Sequence, residues 1–231
     1  MKHRAVWFAT GLAIVLVGCG NKSEQYILPD QVSDFAALYA DNCAGCHGRD
    51  GRFGAARPLN DPLYLAVVGK QRLRDVIAKG VPRTAMPAFA QSAGGPLTDD
   101  QLTVLADQIE AHWSRPQEFA GLLLPPYSAD LGDPERGEAV FHSYCARCHG
   151  ESGTGGLKGA PVVDPAFLAL VSNQSLRTTV IAGRADQKVP DWRSDFPGHP
   201  MTSQEISDVV AWLSSRRALP DNLAKGGTSP Q

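Results

Sequence analysis

The sequence shows no strong excess of charge and none of the common hydrolase or nucleotide-binding motifs. Its 231 residues carry 22 Lys and Arg against 24 Asp and Glu, a formal net charge of -2. This balance does not indicate nucleic acid as a partner. Ser–His–Asp, phosphate-loop and metalloprotease patterns are missing, so those chemistries are not indicated. Strand-like alternation of apolar and polar residues is also missing, so we expect an all-α fold with long loops.

The N-terminal sequence indicates an export signal rather than a membrane-spanning helix. A basic stretch, MKHR, precedes an apolar run from Ala5 to Gly18, which is shorter than the about 20 residues that a spanning helix needs. The run ends in Leu16–Cys19, LVGC, which resembles a bacterial lipobox. The resemblance implies a signal peptide over 1–18, a lipid on Cys19 and a polar tether over 19–32. The protein would then sit on the periplasmic side of a bacterial membrane; an uncleaved membrane anchor is the alternative.

The rest of the chain is a duplicated unit. Three segments of the first half recur in the second half in the same order, with loop insertions between them. The pairs are CAGCHG and CARCHG, NDPLYLAVVGKQRLR and VDPAFLALVSNQSLR, and LTDDQLTVLADQI and MTSQEISDVVAWL. The repeat predicts one domain over 33–115, a linker over 116–134 and a second domain over 135–220, followed by a disordered tail over 221–231.

Helix start signals recur in each unit. Ser33 is a candidate N-cap for the first helix, and Thr98 and Thr202 are candidate caps for the closing helices. Leu97 and Met201 precede those caps as hydrophobic staples. The first helices differ in one respect, because Gly137 of the second unit has Phe35 as its counterpart in the first. Helix packing should therefore differ locally between the two units.

Two Cys-x-x-Cys-His motifs indicate covalently bound haem. Cysteines three residues apart lie on one helical face, where they can form thioethers to the two vinyl groups of one haem. The histidine that follows then faces the iron as its proximal ligand. A Cys₄ zinc site and disulfides are the alternatives. Zinc is disfavoured because a histidine follows both pairs and the pairs belong to separate repeats, and a disulfide explains neither histidine.

The chain resembles the class I cytochromes c, in particular tandem members with two haems. The resemblance implies attachment of one haem c to Cys43, Cys46 and His47, and of the other to the second motif, Cys145, Cys148 and His149. It also implies that the carbonyls of Pro58 and Pro161 accept the histidine Nδ1–H, and that Met86, in TAMPAF, is the distal ligand of the first iron.

The second distal ligand is an open question in the sequence. Alignment from Gly80 and Gly183 places Val189 opposite Met86, and valine cannot bind iron. Met201 is our predicted ligand, although its alignment with Leu97 also gives it a packing role. His199 and a site with no firm ligand are the alternatives; the neighbouring Lys188 would have to lose its proton to bind.

The expected function is electron transfer. An iron held by histidine and methionine is closed to substrates, and the methionine raises its potential. We therefore expect a dihaem cytochrome that links periplasmic or membrane redox proteins, alone or as a subunit of a respiratory or dehydrogenase complex. The alternative is a haem enzyme or sensor, such as a peroxidase, that uses an open site on the second haem.

Overall fold

The computed structural model describes residues 27–82, 84–193 and 198–217, which fold into short helices joined by long loops. Within this part of the chain there are no strands beyond two isolated bridges, which confirms the all-α class. The expected signal peptide, Cys19 and the tail lie outside the described residues. The helices are α1 (Phe35–Asn42), α2 (Ala44–His47), α3 (Pro62–Val68), α4 (Lys70–Lys79), α5 (Asp99–Trp113), α6 (Pro134–Tyr144), α7 (Ala146–His149), α8 (Pro165–Leu170), α9 (Asn173–Ala182) and α10 (Ser203–Ser215).

The helix starts follow from capping chemistry. Thr98 and Thr202 cap α5 and α10, as the sequence predicts. Each also forms a reciprocal capping box with the residue three positions on. The cap of α1 is Asp34 rather than the predicted Ser33, since the Asp34 carboxylate accepts a hydrogen bond from Ala37 N–H at 2.8 Å. Asp34 is the extended residue directly before the first helical turn, and an N-cap requires that conformation.

The apolar faces of these helices form one hydrophobic cluster that includes residues of both units. The largest fully buried side chains of the first unit lie on α3, α4 and α5, and those of the second lie on α6, α8, α9 and α10. They are Leu65, Leu73, Leu102, Leu105 and Ile109 in the first unit, and Phe141, Leu168, Ile181, Ile206 and Val209 in the second. In each unit the closing helix packs against the helix that precedes the Cys-x-x-Cys-His motif, α5 against α1 and α10 against α6.

The first helices pack differently in the two units, as the sequence predicts. Phe35 stacks on His112 of α5 with ring centroids 5.0 Å apart. Gly137 instead lets α6 lie directly against α10, because a Cβ at this position would come within 2.0 Å of the Asp208 carbonyl oxygen. Phe141 and Trp212 stack at 4.3 Å across the same helix pair.

The segment between the units is bonded to both of them. Arg72 of α4 donates to the Ser128 hydroxyl at 3.0 Å, and Gln174 of α9 donates to the Tyr127 carbonyl at 2.7 Å. Arg177, which is buried, donates to the Pro126 carbonyl at 2.9 Å. These bonds hold the predicted linker against the surfaces of α4 and α9. No helix in the described ranges combines the length and apolar character needed to cross a membrane.

Candidate haem-binding sites

Both Cys-x-x-Cys-His motifs lie at the same kind of helical turn. The longer helix α1 ends at Asn42, and Cys43 is its C-cap. The single turn α2 continues to His47, whose backbone N–H donates to the Cys43 carbonyl at 2.9 Å. The second motif repeats this arrangement, with the His149 N–H donating to the Cys145 carbonyl at 3.0 Å. The turn thus presents both cysteines and the histidine of each motif together, as haem attachment requires.

The cysteine thiols are free and differ in exposure, since Cys43 is buried and Cys46 is exposed. All four, Cys43, Cys46, Cys145 and Cys148, are unpaired, which argues against the disulfide alternative. Burial, and secondarily the neighbouring cysteine of each motif, raises the pKa of Cys43 and of Cys145 to about 12. Before haem attachment, both of these thiols are therefore protonated at neutral pH.

The two motifs do not combine into one metal centre. Among the described residues there is no group of three or more His, Cys, Asp or Glu side chains that could hold a metal ion. A Cys₄ zinc site made from both pairs would be such a group. The structure therefore offers no such centre, and each motif stands in its own unit.

The histidine of each motif is oriented by a backbone carbonyl. His47 Nδ1 lies 2.7 Å from the Arg57 carbonyl oxygen, and His149 Nδ1 lies 2.7 Å from the Ala160 carbonyl oxygen. Since a carbonyl only accepts, Nδ1 carries the proton and Nε2 keeps a lone pair that could bind a metal. Burial lowers the pKa of His47, which keeps this ring neutral, although its bond to Arg57 opposes the shift.

These acceptors correct one expectation from the sequence. The acceptor is not the carbonyl of Pro58 or Pro161 but that of the residue immediately before each proline. A proline restricts the backbone of its predecessor to extended conformations, so the proline still marks the place where the carbonyl turns towards the histidine. The ring nitrogen reaches the preceding carbonyl because the loop approaches the motif one residue earlier than expected.

A glycine after each motif brings the loop close, and sequence reasoning did not single it out. A Cβ on Gly54 would lie 2.0 Å from the Cys46 carbonyl oxygen, and one on Gly156 would lie 2.5 Å from that of Cys148. Only glycine allows such a close backbone approach. The signal was present in the sequence, because the two glycines stand at the same distance from their motifs.

Backbone hydrogen bonds fix the register of the two distal segments, the stretches that begin at Gly80 in the first unit and at Gly183 in the second. In the first unit, Val81 N–H donates to the Met86 carbonyl at 3.1 Å; in the second, Arg184 N–H donates to the Val189 carbonyl at 3.0 Å. Gly80 lies against Met86 and Pro87, and Gly183 lies against Val189 and Pro190 in the same way. Val189 therefore occupies the position of Met86, as the alignment predicts. Both side chains are half-buried.

The other candidate ligands lie further along the second distal segment. Met201 N–H donates to the Trp192 carbonyl at 2.9 Å, as Leu97 N–H donates to the Phe89 carbonyl at 2.8 Å, so Met201 has the backbone position of Leu97. Its side chain is buried before α10. His199 is exposed, and its Nδ1 lies 2.9 Å from the Tyr144 hydroxyl. Neither residue shares the backbone position of Met86.

Comparison with known proteins matches this architecture. The family model described as cytochrome c oxidase, cbb3-type, subunit III, matches residues 30–109 and again residues 132–213. Over 174 residues the chain is 29% identical to the cbb3-type cytochrome c oxidase subunit CcoP of Azospirillum sp. (strain B510), covering 68% of this chain and 54% of that protein. It is also 35% identical over 102 residues to the fructose dehydrogenase cytochrome subunit of Gluconobacter japonicus, covering 38% of this chain and 20% of that protein.

The matches reach both units but not the whole of the relatives. The chain spans about half the length of the cbb3-type relatives it matches. Each of the two family matches contains one Cys-x-x-Cys-His motif at the turn described above. The chain therefore belongs to the cytochrome c oxidase, cbb3-type, subunit III family and is a c-type cytochrome with two haem c groups.

Proposed function

We propose that the chain transfers electrons between periplasmic or membrane redox proteins through its two haem sites. The observation that carries the proposal is the paired histidine geometry, in which His47 and His149 each hold Nδ1 at 2.7 Å from a backbone carbonyl. That bond fixes the ring, makes the imidazole more basic and leaves Nε2 free for iron. A haem c bound in this way supplies one reversible electron per iron.

The site residues divide between the two units. Cys43, Cys46 and His47 would hold the first haem, with Met86 as its distal ligand. The half-burial of Met86 and the hydrogen bond from Val81 N–H to its carbonyl hold this segment in place beside Gly80. A thioether ligand favours the ferrous state and raises the potential. Cys145, Cys148 and His149 would hold the second haem.

The partners would be other redox proteins, with this chain acting as one subunit or carrier among them. The similarity to subunits of a cbb3-type oxidase and of fructose dehydrogenase supports a place in a larger redox assembly. The LVGC motif supports a lipid on Cys19 and a periplasmic location for the lipoprotein. The net negative charge that remains after removal of residues 1–18 suits a basic docking face on the partner.

A second candidate function follows from Val189, which has the backbone position of Met86 and cannot bind iron. The second iron then depends on Met201 or His199, or it lacks a firm sixth ligand. Met201 stays a proposed ligand, because its buried side chain precedes α10 in the same segment. Without a firm ligand, the second haem would bind small neutral molecules, and the chain would act as a haem enzyme or sensor.

A redox titration with visible spectra, repeated under carbon monoxide, tests both functions. Electron transfer alone predicts two reversible low-spin haems and no gas binding in the reduced protein. An open second site predicts high-spin ferric iron at one haem and stoichiometric carbon monoxide binding. Met201→Ala and His199→Ala assign the ligand, since only loss of the true ligand creates gas binding. If neither variant differs from a wild type that binds the gas at one haem, both ligand assignments are wrong.

A further inference from the structure

Arg57 is a buried cation that joins the two units. Its guanidinium donates to the Gly183 carbonyl at 3.2 Å and to the Thr179 hydroxyl at 3.0 Å, and both acceptors belong to the second unit. The side chain is only 15% exposed. Hydrogen bonds from a guanidinium are among the stronger ones, and burial protects them from competition by water. These two hydrogen bonds therefore form a buried contact between the units rather than a solvent-exposed one.

The same residue holds the proximal histidine of the first unit. The Arg57 carbonyl accepts the His47 Nδ1–H at 2.7 Å. In the second unit this acceptor is Ala160, whose methyl side chain cannot make an equivalent tie. Only the first unit therefore has a residue that both accepts the histidine hydrogen bond and contacts the other unit through its side chain.

The rest of the Arg57 environment holds the guanidinium in place from its own unit. The Asp61 carboxylate lies 3.7 Å from Nη1, and the guanidinium carbon lies 5.3 Å from the centroid of the Tyr64 ring. Across the interface, Arg184 and Asp186 pair with each other at 2.8 Å. Arg57 is therefore held from both sides, and a shift of the second unit pulls on it directly.

The acceptors of Arg57 lie where the second distal segment begins. Gly183 is the C-cap of α9, and the N–H of the next residue, Arg184, donates to the Val189 carbonyl. A Cβ on Gly183 would lie 2.6 Å from that same carbonyl oxygen, so Gly183 and Val189 are in direct contact. The guanidinium thus connects the His47 side of the first site to the segment that carries Val189.

We propose that Arg57 is a positioning residue that couples the two haem sites, with its backbone orienting His47 and its guanidinium tying that backbone to Gly183 and Thr179. The inference rests on the proposed function, in which His47 binds the first iron. A tightly held carbonyl keeps the imidazole basic, and a more basic imidazole stabilises ferric iron. The potential of the first haem therefore depends on contacts made by the second unit.

Thr179→Val tests this coupling from the second unit without changing any charge. Valine fills the space of threonine but cannot accept the Arg57 hydrogen bond. We expect an upward shift of the first haem's midpoint potential, followed in holoprotein at the far-red absorption band of the Met86-ligated ferric haem. Arg57→Lys should shift it in the same direction, because lysine keeps the charge but lacks the two-point tie. Thr179→Ser keeps the hydroxyl and should restore the wild-type potential.

Arg52→Gln is the matched control. Arg52 lies in the same loop, but it donates to the backbone and side chain of Asn60 within the first unit, at 3.1 and 3.0 Å. Its loss should leave the potential unchanged or lower it, since removal of a cation disfavours the reduced state. The coupling is disproved if Thr179→Val and Arg57→Lys both titrate like wild type, or if Arg52→Gln shifts the potential upward as far. A wild type without two reversible haems would instead refute the proposed function.

Discussion

At the scale of single residues, the proposal that Met86 is the distal ligand of the first haem can be tested by one substitution. We expect Met86→Ala to abolish the far-red sulfur-to-iron band of the ferric protein and to lower the first potential. The reason is that thioether ligation favours ferrous iron. Visible spectroscopy of the ferric form and a redox titration measure the two effects. The companion variant Met201→Ala should leave the first potential in place. An unchanged band and potential in Met86→Ala would exclude Met86 as the ligand.

A second residue, Asp208, links stability to pH in the second unit. Its carboxylate accepts hydrogen bonds from Arg136 Nε at 2.9 Å, from Asp133 N–H at 2.7 Å and from Gln204 at 2.9 Å. Burial alone would raise the pKa of Asp208, but these bonds outweigh it and lower the pKa. A lowered folded pKa means that the stabilisation is present above the unfolded pKa of about 3.9. It is lost as the pH falls through the folded pKa.

Asp208→Asn should therefore destabilise the second unit at neutral pH, by about 2 kcal/mol for charged hydrogen bonds. The difference from wild type should shrink as the pH falls below about 4. Urea unfolding of the holoprotein followed by circular dichroism measures both effects. Glu138→Gln is the control, because Glu138 forms an exposed pair with Arg216 at 3.4 Å, and such pairs contribute about 0 to 1 kcal/mol. A pH-independent difference would contradict the role given to Asp208.

At the scale of secondary-structure elements, the close approach of α6 and α10 depends on Gly137. We expect Gly137→Ala to destabilise the second unit by about 3 kcal/mol, as overpacking of a tight helix contact does. The added Cβ would lie 2.0 Å from the Asp208 carbonyl oxygen and 2.8 Å from the Trp212 Cβ, so the helices must separate. The midpoint of urea unfolding is the measurement.

Gly45→Ala provides a control for that helix substitution. Gly45 lies in α2, where a Cβ meets nothing within 4 Å, and the second unit carries Arg147 at the matching place. Alanine should be neutral or slightly stabilising here, since it favours helix by about 1 kcal/mol over glycine. If Gly137→Ala unfolds at the same urea concentration as wild type and Gly45→Ala, the contact between α6 and α10 is not limited by that glycine.

At the scale of the whole molecule, anchoring is proposed to depend on a single lipid. We expect Cys19→Ala to release soluble protein, or to leave the chain unprocessed with its signal attached, because the cysteine is the proposed site of both cleavage and acylation. Membrane fractionation together with mass spectrometry of the N-terminus distinguishes the two results. Correctly cleaved Cys19→Ala protein that stays on the membrane would indicate docking to a partner in place of the lipid.

Much of the site was predictable because its signals are local. Helix caps at Thr98 and Thr202 depend on residues three positions away, and the sequence alone locates them. The repeat also predicts that Val189 replaces Met86, and the backbone hydrogen bonds of both segments agree. The predicted N-cap of α1 was wrong by one residue. Ser33 and Asp34 are equally good caps by residue type, and only the backbone conformation distinguishes them.

The sequence by itself determined the all-α class, the duplication and the two Cys-x-x-Cys-His turns, because each depends on the spacing of neighbouring residues along the chain. The tertiary structure decided which carbonyls meet His47 and His149, since a loop of ten or eleven residues must close before either bond forms. It alone placed the Arg57 side chain against Gly183, at a separation of 126 residues. Such a contact has no periodic signature, because it arises only when residues far apart in the chain pack against each other.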